Sequence, residues 1–259
     1  MAIVADFDPS TPSIARVYDY LLDGKDNFAV DREVAQRMMA VAPLTAEVTR
    51  ENRQFLARAA AWAANRGITQ FIDLGCGLPT APNTHETAGD RRGRAGRVPG
   101  QRRGGAESSA RPGRQGKSGV TVVDGDVREV TTVLGAVAAG IDLSAPACLL
   151  MGFLLHFFAL GAARDLVARY VAALAPGSYV VLSVGRADAE AAKAGFSTYS
   201  SGAAQVYNHS VPDFASFFGA LELVPPGVVD AREWRPDWEQ AVHLRPRDGQ
   251  AIVGVARVG

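Results

Sequence analysis

A chain of 259 residues with 47% apolar and 21% charged side chains is long enough to bury a sizeable core, and it reads as one large folded domain or one domain with an appendage. No stretch approaches the roughly 18 apolar residues of a membrane span, and the opening "MAIVADFDPSTP" lacks the basic-then-apolar layout of a secretory signal, so no membrane partner and a cytoplasmic location are expected. Basic and acidic residues balance at 27 each, while Cys76 and Cys148 lack CxxC spacing, which argues for reduced, buried thiols rather than a disulfide framework or a zinc site.

The first third reads as helical. Thr11-Pro12-Ser13 is a helix-start signal, and Ile14, Val17, Tyr18, Leu21 and Leu22 follow at the spacing of one helical face until Gly24 stops it. "DNFAVDREVAQRMMAVAP" restarts a helix that ends at Pro43, and "LTAEVTRENRQFLARAAAWAANRG" gives a longer one closed by Gly67. Residues 1–67 therefore form a helical N-terminal cap in this reading, and residues 68–259 an α/β domain. At Ile68 the pattern changes: "ITQFIDLGCG" is a short apolar run ending in glycines, which suits a buried parallel strand entering a tight turn. Within that turn Asp73, Gly75 and Gly77, followed by Leu78, combine a carboxylate with residues that let the backbone turn sharply and approach a ligand. The third glycine of a dinucleotide fingerprint is absent, since Thr80 stands in its place.

Residues 89–118 break the pattern. They hold eight Gly, eight Arg and one Lys against two acidic residues, so that outside them 18 basic residues face 25 acidic ones. With almost no apolar surface to offset the entropy of ordering, the run is expected to be disordered and the second strand of the sheet to be missing or disrupted. Taken at face value it could be an arm that tracks a phosphate backbone, though it carries no aromatic residue for base stacking.

Beyond it, "GVTVVDGD", "PACLLMGF", "GSYVVLSV" and "QAIVGVARV" read as strands, with "ALGAARDLVARYVAALAPG" an amphipathic helix between the second and third of them. Strands alternating with helices imply a parallel α/β sheet whose ligands lie at the carboxyl ends of the strands. Asp126 ends one strand and doubles as a helix N-cap candidate. Met151, Gly152 and Phe153 end the next, where core packing is the alternative for Met151 and Phe153. His156, flanked by apolar residues at a strand end, is either a hydrogen-bonded core residue or a base. His85 and Glu86 sit near the glycine turn without metal-ligand spacing, so no metal is expected. "VYNHSVPDFASFFGALELV" reads as a loop and a helix capped by Ser210 that leads into a strand; Tyr207, Asn208 and His209 are candidates to face substrate. Trp234, Arg235, Pro236 and Trp238 are expected to cover the sheet edge.

The D-x-G-x-G turn resembles motif I of class I S-adenosylmethionine-dependent methyltransferases. More narrowly, "ARVYDYLLDGKDNFAVDRE", "FIDLGCGLPTAPNTHE", "LHFF", "LAPGSYVVLS" and "LELVPPGVVDAREWRPD" are similar, in order, to the actinobacterial S-adenosyl methyltransferase family long known only as a domain of unknown function. The resemblance implies a Rossmann-like class I methyltransferase sheet with a helical cap, S-adenosylmethionine as cofactor, and Asp73, Gly75, Gly77, Leu78, Asp126, Val127 and Gly152 around it. It also implies a lid built from Tyr18, Lys25, Asn27 and Phe28 that keeps water from the reaction. Tyr18 and His156 are the candidates for a catalytic role, and methyl transfer from a sulfonium needs a base only when the acceptor is not already reactive. No basic, aromatic-studded face points to nucleic acid outside the Arg/Gly run, so a small-molecule acceptor is expected. A different class of reading is a ligand-binding or interaction protein that keeps the fold without turnover. It is motivated by the missing acidic motif, like V-Y-x-D-N-D-P, that in the family follows the second strand and clasps the cofactor ribose. Codons able to encode "VPGQRRGGAES", read one base later, can encode Y-L-D-N-D-A-V-V-L-S, and the run is accordingly expected to be a stretch translated in a shifted frame.

Overall fold

The computed structural model describes residues 8–78, 97–99, 121–123, 125–187, 193–194, 197–198, 204–236 and 250–259; His85, Glu86, Trp238 and all of the Arg/Gly run except residues 97–99 lie outside them. Helix α1 (Ile14–Leu21) buries Val17 and Leu21 and is followed by a turn organised around one side chain. Asp19, 2% exposed, accepts hydrogen bonds from the Asp26 amide and from Asn27 Nδ2, both at 2.9 Å. The Gly24 amide donates to the Asp19 carbonyl at 2.8 Å, and a Cβ at Gly24 would run into the Asp19 carboxylate. Helix α2 (Ala29–Val41) then packs Val34 and Ala35 against Val17 and Leu21. The two helices are tied by a fully buried ion pair, Arg16 Nε to Asp31 Oδ2 at 2.6 Å with both side chains at 0% exposure. The same carboxylate accepts the Ser13 amide at 2.8 Å and the Phe28 amide at 2.9 Å. Asp31 thus caps both helix starts and neutralises the cation between them.

Helix α3 (Thr45–Ala64) is the layer on one face of the sheet. Its Ala59, Ala60, Ala63 and Ala64 let it lie close, and Phe55 and Leu56 pack with them against Cys148, Leu150, Val181, Val253 and Val255. The strands are β1 (Phe71–Asp73), β2 (Arg97–Pro99), β3 (Thr121–Val123), β4 (Cys148–Met151), β5 (Tyr179–Arg186), β6 (Glu222–Leu223), β7 (Val229–Asp230) and β8 (Gln250–Arg257). They are ordered β3-β2-β1-β4-β5-β8-β6, with β7 also on β8. The pairs from β3 to β5 are parallel, and β8 runs antiparallel to its neighbours. Helices α4 (Val130–Ala138) and α5 (Leu160–Val171) cover the other face, joined there by Phe214 of the short helix α6 (Val211–Ala215) and by Phe217 and Phe218. Period-two alternation sorts the strands between the two layers: Cys148 and Leu150 face α3, Leu149 and Met151 face α4 and α5.

The second strand, expected to be missing or disrupted, is present over Arg97–Pro99, where β2 pairs Arg97 with Ile72 of β1 and runs alongside β3 from Thr121 to Val123. Without it the backbone groups of its neighbours that face it would lack partners within the sheet. Trp234 does not cover the sheet edge. It is fully buried, edge-on to Phe55 at 5.3 Å between ring centroids, and its carbonyl accepts from Arg58 Nε at 3.2 Å. No helix among the described residues is long and apolar enough to cross a membrane.

Replacing Asp31 by Ala strands a buried guanidinium and two helix-start amides, at an expected cost of about 3–5 kcal/mol. A lower urea midpoint and faster amide exchange throughout α1 and α2 are the expected outcome; an unchanged midpoint with unchanged exchange would show that the ion pair does not hold the cap.

Candidate functional site

The chain leaves β1 towards β2 and β3 on one side and returns to β4 on the other, so strand order reverses between β1 and β4. A crevice forms at the carboxyl ends of the strands where this happens. Here it is a cavity of about 330 Å³, walled by the ends of β1, β4 and β5, the start of β8, and the cap formed by α1, the end of α2 and the start of α3.

At the β1 end, Asp73 (6% exposed) faces the cavity, and the chain turns through Gly75 at φ 72° and Gly77 at φ 68°. Both are left-handed conformations that favour glycine. At the β4 end a Cβ on Gly152 would stand 2.5 Å from Leu56 Cδ1 of α3, so the Leu56 side chain would have to shift to admit it. Phe153 follows at φ 49°, a strained conformation for a bulky residue. It is held there by its amide, which donates to the Ser183 carbonyl at 3.2 Å and to Ser183 Oγ at 3.0 Å on β5. The Phe153 ring is edge-on to Tyr18 at 6.2 Å and to His156 at 5.5 Å.

Tyr18 comes down from α1 into the cavity, its hydroxyl bonded to Asn52 Nδ2 at 3.0 Å. Burial raises its pKa; the nearby Arg53 pulls the other way and Asp73 adds to the rise. Arg53, 7% exposed on α3, also lines the cavity, so a guanidinium and a carboxylate face one largely apolar space. Burial likewise raises the Cys76 thiol far above its usual range, with Asp73 contributing. His156 sits in the 3-10 turn Leu155–Phe157, 7% exposed, and its Nδ1 accepts the Gly185 amide of β5 at 3.3 Å. An acceptor at Nδ1 puts the proton of the neutral ring on Nε2. Burial, then His209, lowers its pKa to about 3.

Of the residues singled out from the sequence, Tyr18, Asp73, Gly75, Gly77, Gly152, Phe153 and His156 line this one cavity. Leu78, Asp126 and Val127 do not. Leu78 is 8% exposed, Val127 belongs to the core and accepts the Tyr170 hydroxyl at 2.9 Å, and Asp126 pairs with Arg128 Nε at 2.9 and 3.0 Å where the chain enters α4. Lys25 is exposed, Asn27 is committed to the turn around Asp19, and Phe28 lies 40% exposed with the Arg16 guanidinium 5.1 Å from its ring centre. Met151 is fully buried core. Asn208 clasps the backbone of Ala187 through its amide, His209 Nε2 bonds the carbonyls of Leu155 and Phe158 at 3.3 and 3.1 Å, and Tyr207 is 38% exposed. Sequence reasoning missed Arg53, Arg186 and Gln250, which also line the cavity. Arg53 had a signal: it falls four residues after Thr49 and three before Leu56, on the stripe of α3 that turns inward.

A mostly parallel sheet with an antiparallel strand next to its far edge, opened at its reversal point by a D-x-G-x-G turn and roofed by helices, is the architecture of a class I S-adenosylmethionine-dependent methyltransferase. The S-adenosyl methyltransferase family model matches residues 2–259, and the chain belongs to that family. Among solved structures it is similar to a protein of the DUF574 family from Streptomyces avermitilis MA-4680, with 29% identity, a TM-score of 0.88, and coverage of 97% of this chain and 99% of that one. It is also similar to a protein from Thermobifida fusca YX described provisionally as a methyltransferase, with 32% identity, a TM-score of 0.84, and coverage of 96% of each chain. Both sources are actinobacteria. A search of curated protein sequences found no match. The chain is thus an S-adenosylmethionine-dependent methyltransferase of the class its sequence resembles.

Because the folded imidazole of His156 stays neutral down to about pH 3 while an unfolded one binds a proton near 6.5, the unfolded state holds more protons between those values, and stability falls as pH is lowered through them. The slope is at most about 1.4 kcal/mol per pH unit. His156→Gln removes this contribution, so the stability gap between parent and variant in urea should narrow from pH 7 to pH 4. Parallel curves would mean that the ring titrates normally.

Proposed function

We propose that the cavity receives the amino-acid end of S-adenosylmethionine at β1 and a small-molecule methyl acceptor towards β5 and β8. The observation that carries this reading is the placing of Asp73 and Arg53 on one apolar cavity. A methionine end is a zwitterion, and a carboxylate with a guanidinium is its charge complement. Asp73 accepts hydrogen bonds from the ammonium group, Arg53 donates to the carboxylate, and Gly75 and Gly77 let the backbone come close. Leu78, Asp126 and Val127 serve the adenosine half in this reading, on the support of the family resemblance.

The cofactor supplies an electrophilic methyl group on a cationic sulfur. The chain's own residues orient the partners and keep water out. Tyr18, Phe153, His156 and Phe157 wall the space. Tyr18 and Cys76 have raised pKa values and His156 a lowered one, so each is neutral near pH 7 and none is tuned as a base. The acceptor atom is therefore nucleophilic without deprotonation by these groups, and rate comes from alignment.

Calorimetric titration with S-adenosylmethionine tests the assignment. Asp73→Asn and Arg53→Met each remove a charge-assisted contact worth about 1.5–3 kcal/mol, so affinity should fall roughly tenfold or more in either variant. A Cβ at Gly77 meets nothing within 4 Å, so Gly77→Val acts through its φ of 68° rather than by filling space, and it should abolish binding by forcing the turn to rearrange. Parent-like affinity in Asp73→Asn and Arg53→Met would place the amino-acid end elsewhere.

A further inference from the structure

The cavity continues past the residues assigned to the cofactor. β5 lies two strands from β1, about 10 Å away at the usual strand spacing. There Arg186, the last residue of β5, stands in register with Gln250, the first of β8, and both line the cavity. Gly185, just before Arg186, is the residue whose amide bonds His156. The adjoining walls are apolar: Ile14, Met38, Phe157 and Val206 pack around Val17 and Leu21 of the cap and present their remaining surface to the cavity. Among the described lining residues the charged ones are Arg53, Asp73 and Arg186. A sulfonium donor brings positive charge into this largely apolar space, and an anionic acceptor is its electrostatic complement.

We propose that the methyl acceptor is a small amphipathic anion, with an apolar body lying against Ile14, Met38, Phe157 and Val206 and an oxyanion head bound by Arg186 and Gln250. The inference rests on the assignment of the β1 end to the cofactor. A guanidinium has five donors in a fork that matches a carboxylate or phosphate edge, so it can serve such a head alongside partners within the protein. The Gln250 amide adds a neutral donor on the same edge. A cavity of about 330 Å³ sits at the small end of ligand pockets, which run from about 300 to 1,000 Å³, and with the methionine end also inside it the acceptor is small.

The test uses the full chain saturated with S-adenosylhomocysteine, and as probes cinnamate and its neutral isostere cinnamamide, with affinities measured by calorimetry. Cinnamate should bind about tenfold or more tightly than cinnamamide, as loss of a charge-assisted contact predicts. Arg186→Met should erase that preference, and Arg186→Lys should keep part of it. Melting temperature and S-adenosylhomocysteine affinity of each variant confirm that it is folded. If S-adenosylhomocysteine binds but the parent treats the two probes alike, or if Arg186→Met retains the preference, the anionic acceptor is overturned. Failure of S-adenosylhomocysteine to bind the parent would instead overturn the cofactor assignment on which the inference rests.

Discussion

The buried pair of Arg16 and Asp31 is the constraint from which the geometry of the site descends. Two opposite charges at 0% exposure are tolerable only because they are in contact and because Asp31 also accepts two backbone amides. This fixes α1 against the start of α2 to within hydrogen-bond tolerance. Tyr18 projects from α1 two residues after Arg16, so the same contact that fastens the cap also sets the depth at which the phenol enters the cavity. A purely apolar cap would allow α1 to slide; an ion pair with directed donors does not.

The floor is fixed by a different device. Parallel strands point the carboxyl ends of β1, β4 and β5 the same way, and the reversal of strand order between β1 and β4 opens a crevice there. Each end is then finished by an irregular residue: left-handed glycines after β1, a left-handed Phe153 after β4, and the Gly185 amide given to an imidazole near the end of β5. The regular sheet supplies rigidity and these exceptions aim the side chains. That the strain at Phe153 is held by Ser183 on the neighbouring strand means that the positions of two strand ends are not independent.

Periodicity and punctuation made much of this legible. Apolar runs bounded by glycine gave β1, β4, β5 and β8, and Gly24, Pro43 and Gly67 marked the helix ends, because backbone conformation is a local property of those residues. The acidic glycine turn was readable for the same reason. The reading of Tyr18, Lys25, Asn27 and Phe28 as a lid came from the family resemblance. In the structure Asn27 is consumed in folding its own turn around Asp19, and a linear sequence does not tell a side chain spent on its own loop from one offered to a ligand. Arg186 and Gln250 were silent because their meeting depends on the antiparallel register of β5 with β8, strands separated by more than sixty residues. The composition around β2 carries no strand signal, because a strand between two others is stabilised by its neighbours' backbone groups as well as by its own side chains.

The contact between Leu56 and Gly152 carries a consequence for how this cavity can change. α3 is at once the lining of the sheet and the carrier of Arg53, and its Leu56 side chain fills the space that a Cβ at position 152 would take. A larger residue at position 152 makes the Leu56 side chain shift, and a smaller one at position 56 opens a void beside Gly152. The two positions are therefore coupled through one side chain, and a change at either is best accommodated by a matching change at the other.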